Sequence, residues 1–218
     1  MKKIFSYPVI AVVAGVGLIL LIGWLVFNRQ PISVSLAVPY ASQAPEGDWS
    51  APWDEACEET SALMIAGYYQ GQATLEIPSV ITQILAMVAW ENQVLGKNKD
   101  TEATGIKALI DHLGFFEATI QRDPSLKRIQ KELRAKRPVI ILVNRYQLYG
   151  EPNLGDSYHV AVIIGYDEAS GEFIIHDPAK SADTRYLYGT VMNSLHDFNP
   201  ISKEADGQPT VLFTAPKN

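Results

Sequence analysis

A thiol attacks a carbonyl only as the thiolate, and the chain carries a single sulfhydryl, Cys57. Such a nucleophile needs a base, and the base needs a group to orient it. Four histidines are available: His112, His159, His176 and His196. His112 falls in a helical pattern ahead of Gly114, and His196 sits in a polar stretch beside Asp197 with no strand to aim it. His159 opens an apolar, β-branched run directly after the turn-like NLGDSY, where a rigid strand can hold its ring in a cleft. His176, next to Asp177 at the end of the following run, is its rival as base. Residues 167–171 have the composition of a hairpin turn, which sets the start of the first run beside the end of the second. Asp177 is then placed to accept the His159 imidazole N–H and fix its tautomer. One cysteine and scattered histidines offer no metal-ligand spacing.

These residues need elements to position them. Asp54 is a plausible helix N-cap, Glu55 follows it, and an apolar series through Leu63, Met64, Ile65 and Ala66 continues the helix. Cys57 thus sits in a first turn, where the helix dipole favours a thiolate while Asp54, Glu55, Glu58 and Glu59 oppose it. Apolar periodicity predicts further helices over residues 79–93, 104–113 and 124–136, the last with its basic residues outward. After Pro138 the texture changes to strand-like runs at 139–144, 159–167, 172–177 and 210–215. Helices followed by antiparallel strands predict an α+β fold.

Residues 8–27 form an uncharged apolar run, long enough to cross a bilayer at about 1.5 Å per residue. Lys2 and Lys3 precede it, whereas residues 30–96 hold eight carboxylates and no Lys or Arg, which predicts a single-pass membrane protein with its C-terminal domain outside the cytoplasm. The run exceeds the length usual for a cleaved signal, which favours a retained anchor; cleavage would make the domain secreted. The expected organisation is a cytoplasmic flank and transmembrane anchor over 1–29, a tether over 30–37 and one domain over 38–218. A net charge of −6 argues against a nucleic-acid partner.

The stretch VPYASQAPEGDWSAPWDEACEETSALMIAGYY, residues 38–69, resembles the N-terminal motif of the papain-like C39-type cysteine peptidases, in which V-P-Y-x-x-Q precedes an A-C helix start. YHVAVIIGYDEASGEFIIHDP, residues 158–178, is similar to that family's histidine strand and its D-P turn. Together they cover about a quarter of the chain. The resemblance implies a papain-like fold, with a helical part packed on an antiparallel sheet. It implies Cys57 as nucleophile, His159 as base, Asp177 as third member, and Gln43 donating to the oxyanion together with the Cys57 backbone N–H. The implied reaction is amide hydrolysis through a thioester without a cofactor, on a peptide, a protein or a peptidoglycan stem peptide. Family members often have a small residue after the cysteine, whereas here Glu58 and Glu59 follow. That departure supports an alternative, an inactive papain-like module that binds peptide or cell wall. A leader peptidase serving an exporter fits less well, because that work is cytoplasmic.

Overall fold

The structure is a computed structural model that describes residues 32–96, 100–152 and 157–217. The expected membrane span at 8–27 lies outside the described residues. Among those described, no helix is long and apolar enough to cross a membrane.

The chain enters through β1 (Ser33–Ser35) and a 3-10 turn (Trp53–Glu55), then forms α1 (Cys57–Tyr69), α2 (Ile77–Val94) and α3 (Ala103–Leu113). There follow β2 (Phe116–Arg122), α4 (Leu126–Arg134), β3 (Val139–Asn144) and α5 (Arg145–Tyr149). The remainder is β4 (Tyr158–Asp167), β5 (Glu172–His176), β6 (Thr184–Leu187), α6 (Tyr188–Ser194) and β7 (Thr210–Pro216). The strands make one antiparallel sheet in the order β2-β7-β3-β4-β5-β6, with β1 also paired to β4. The α+β expectation holds, but not the separation into a helical part and a sheet part. β1 comes from the segment expected to be a tether, and β2 from between two helices.

Two apolar cores sandwich the sheet. Along β4, Tyr158, Val160, Val162 and Ile164 pack with α1, α2 and α3, while Ala161 and Ile163 pack with α4, α5 and α6. This alternation is the period-two pattern of a strand buried on both faces. α1 packs on β4 and against α2 and α3, and every residue from Cys57 to Gly67 is buried. A helix enclosed on all sides has no polar stripe.

Two glycines permit close approaches that bear on the site. A Cβ at Gly67 would come within 2.9 Å of Pro39, so its absence lets the segment leading to Gln43 lie against α1. A Cβ at Gly165 would lie 2.2 Å from the Val34 carbonyl oxygen, and β1 pairs with β4 at that point, beside a register shift between Ile163 and Gly165.

Candidate active site

The site is assembled from three places in the chain. Residues 40–43 are laced to the turn after β5: Tyr40 donates its hydroxyl to the Asp177 carbonyl (3.2 Å), and the Gln43 backbone N–H donates to the Pro178 carbonyl (3.0 Å). The Gln43 side-chain amide donates to the Trp53 and Asp54 carbonyls at 2.9 and 3.2 Å. The 3-10 turn just before α1 is thereby tied to the same loop. Asp54 is not the N-cap expected of it. Ala56 takes that position without a side-chain hydrogen bond, because residues 53–55 are already committed to the 3-10 turn.

His159 lies at the start of β4, one strand away from β5, and the β4–β5 hairpin brings Asp177 to the same end. His159 Nε2 is 2.9 Å from Asp177 Oδ1. Asp177 is fully buried and accepts two further bonds, from the Tyr149 hydroxyl (2.8 Å) and the Ala179 backbone N–H (3.0 Å). Burial alone raises a carboxyl pKa, but the His159 ring and these donors outweigh it and hold Asp177 below its ordinary value. The Tyr149 hydroxyl is pushed up by burial and by the Asp177 charge, so it stays a donor. With Nε2 facing Asp177, Nδ1 is the ring nitrogen left to serve a thiol.

Cys57 begins α1 and is buried. Its sulfur lies 3.0 Å from Glu58 Oε2, to which the thiol donates. The other Glu58 oxygen, Oε1, accepts the Thr101 backbone N–H at 3.1 Å. Burial pushes the Cys57 thiol well up, and the Glu58 and Glu59 charges push it further; a contact from the Val160 backbone opposes them. Glu58 and Glu59 are themselves raised, first by burial, and Glu59 also by the neighbouring Glu58 and Glu91 carboxyls.

Gln43, Cys57 and His159 line one cavity of about 270 Å³, with Tyr158, Arg145 and Trp49. Asp54, Glu55 and Asp100 also face it. Asp177 stands behind His159. The rival base is occupied elsewhere: His176 Nε2 contacts the Val38 carbonyl (2.9 Å), and Nδ1 accepts the Asp183 backbone N–H (3.2 Å). His112 stacks on Trp90 with ring centroids 4.6 Å apart, and His196 Nδ1 contacts the Gly207 carbonyl (2.9 Å). Sequence reasoning missed Tyr149, Arg145 and Trp49. α5, which carries Tyr149, is too short at five residues to show a helical period. Among the described residues no cluster of His, Cys, Asp or Glu could hold a metal ion.

The arrangement is a thiol at a helix start, an imidazole on an adjacent strand and a buried carboxylate behind it. No relative is found among curated proteins. Among solved structures, a protein assigned to the C39-like peptidases from Bacillus anthracis is 18% identical with a TM-score of 0.55, over 85% of this chain and 99% of that one. The peptidase domain of Streptococcus ComA, a bi-functional ABC transporter involved in a quorum sensing pathway, is 19% identical with a TM-score of 0.47, over 75% and 93%. The model of the Peptidase_C39 like family matches residues 35–205, a span that takes in Gln43, Cys57, His159 and Asp177, and the chain belongs to that family.

Proposed function

We propose that the chain is a cysteine peptidase or amidase in which Cys57, His159 and Asp177 hydrolyse a peptide bond. The observation that carries this reading is the His159–Asp177 contact at 2.9 Å behind a cavity that Cys57 also lines. In the reaction the thiol proton passes to His159 Nδ1, and the thiolate attacks the substrate carbonyl. The Cys57 backbone N–H and the Gln43 amide hold the oxyanion. To serve there, Gln43 exchanges its longer bond, to the Asp54 carbonyl, for the oxyanion. His159 then protonates the leaving amine, and the thioester is released by a water that His159 deprotonates. Asp177 keeps the ring oriented throughout.

The substrate class is a peptide or protein, and a peptidoglycan stem peptide fits an exported hydrolase. The uncharged run at 8–27 and the Lys2 and Lys3 flank support a membrane anchor with the domain outside the cytoplasm. Fractionation with external protease tests this: a soluble species starting near Val38 would show a cleaved signal instead.

The reading is tested by incubating the purified chain with a peptide library and identifying cleavage by mass spectrometry. Cleavage by the wild type that disappears in Cys57→Ala is expected. A second reading, a peptide-binding module without turnover, draws on the Cys57–Glu58 contact, which favours a neutral thiol. Binding of library peptides without cleavage would select it.

A further inference from the structure

The residue after the nucleophile is a carboxylic acid, and it does not point away. Successive residues on a helix do not normally face each other. At the first turn of α1, however, the Glu58 carboxyl folds back and receives the Cys57 S–H at 3.0 Å. The Thr101 N–H fixes its other oxygen, and the side chain is buried, so the contact is held from both ends. Thr101 is itself placed by the Tyr158 hydroxyl, which donates to its carbonyl at 2.8 Å. Tyr158 and Asp100, which flank this point, also line the reaction cavity.

We propose that Glu58 is a positioning residue that sets the charge state of Cys57: ionised, it stores the nucleophile as a neutral thiol; protonated, it donates an O–H to sulfur and favours the thiolate. The proposal rests on Cys57 being the nucleophile. The protons balance without a co-reactant. Glu58 takes one from solvent, and the S–H proton moves to His159, giving a thiolate–imidazolium pair beside a neutral carboxylic acid. The titratable groups that face Glu58 are Glu55 from the 3-10 turn, Cys57 and Glu59 from α1, and Tyr158 from β4; Glu91 from α2 acts on Glu59, and Asp100 from the loop before α3 acts on Tyr158. Burial first, and after it the Glu55 charge, raise the Glu58 carboxyl above its ordinary value and favour its uptake of a proton. Cys57 is then most nucleophilic on the acid side of neutrality.

The test uses the ultraviolet absorbance of the thiolate and the rate of alkylation by iodoacetamide in the intact protein. In the wild type the thiolate signal is expected to grow as pH is lowered and Glu58 takes up its proton, opposite to an ordinary thiol with a pKa of about 8.5. Glu58→Gln, which keeps an oxygen for the Thr101 N–H, is expected to alkylate about tenfold faster or more near neutral pH and to lose the rise on acidification. A wild-type signal that is flat or falls toward acid overturns the proposal. So does an alkylation profile unchanged in Glu58→Gln. His159→Ala separates this from the underlying reading. Alkylation that depends on His159 but not on Glu58 sinks only the Glu58 role, whereas alkylation indifferent to His159 sinks the cysteine peptidase itself.

Discussion

Replacing Asp177 tests the orientation of the base in two steps. Its carboxylate accepts three donors without solvent contact: the His159 ring at 2.9 Å, the Tyr149 hydroxyl at 2.8 Å and the Ala179 N–H at 3.0 Å. Asp177→Asn keeps the shape and one acceptor oxygen but exchanges a charge-assisted bond for a neutral one. That difference is about 1–1.5 kcal/mol, or about tenfold in kcat/KM. Asp177→Ala leaves the His159 N–H and the Tyr149 hydroxyl without their acceptor. Each such loss costs about 1–3 kcal/mol, so a fall in Tm of at least about 4 °C is expected in a domain of this size. The unoriented imidazole should also lower kcat/KM by about 10²–10⁴-fold. Peptide turnover and thermal unfolding by circular dichroism measure both variants. The low pKa of Asp177 adds a pH signature. A carboxyl held below its unfolded value stabilises the fold at pH above about 3.9, and the stabilisation is lost as pH falls through the folded value. The acid limb of Tm against pH should therefore be shallower in Asp177→Asn. An Asp177→Ala enzyme that folds and retains turnover within a factor of about three would refute the orienting role.

Cys57→Ala should fold as the wild type does, by circular dichroism, and show no turnover; residual cleavage would end the thiol mechanism. Glu59→Gln should stabilise the protein above about pH 5: the buried carboxyl is raised well above its unfolded value, so the native state loses stability as pH rises from about 4.3, and the amide removes that loss. A Tm gain over the wild type that grows with pH is the expected result, and the same gain at pH 5 and pH 8 would refute it. Gly165→Ala should lower Tm by several degrees, because the new Cβ meets the Val34 carbonyl and displaces β1. Asp54, Glu55 and Asp100 outnumber Arg145 in the cavity, so peptides with Lys beside the scissile bond should be cut faster than matched Glu peptides at low salt, and the margin should shrink over a screening length of about 8 Å at physiological salt. Equal rates at low salt would remove that preference.

How much of this was legible in the sequence depends on the element. The α2, α3 and α4 helices show an apolar side and end within a few residues of their expected bounds. β3, β4 and β7 announce themselves by runs of Val, Ile and Leu, which two-sided burial requires. β2 has the alternation of an edge strand, with Phe116 and Ala118 buried and Glu117 and Thr119 exposed, but it lies between two helices and carries no run of β-branched residues to mark it. β1, β6, α5 and α6 are too short for periodicity to register. The placement of His159 at a strand start was readable from the β-branched run it opens, and that of Cys57 at a helix start from the apolar series after it, although the cap is Ala56 and not Asp54. The Cys57–Glu58 contact was not, since adjacent helical residues ordinarily diverge and only the geometry of a first turn turns this pair inward.

The position of β7 has a consequence for how the protein comes into being. This strand is the last of the described elements to be synthesised, yet it lies inside the sheet, paired to β2 on one side and β3 on the other. A ribosome adding about 5–20 residues per second exposes Cys57 well before His159, and β7 later still. Until it arrives, β2 has no sheet partner and the strand beside β4 has an open edge. A nascent chain, or one truncated before Thr210, therefore carries its thiol on an incomplete scaffold, and the sheet that holds His159 is completed only with the domain.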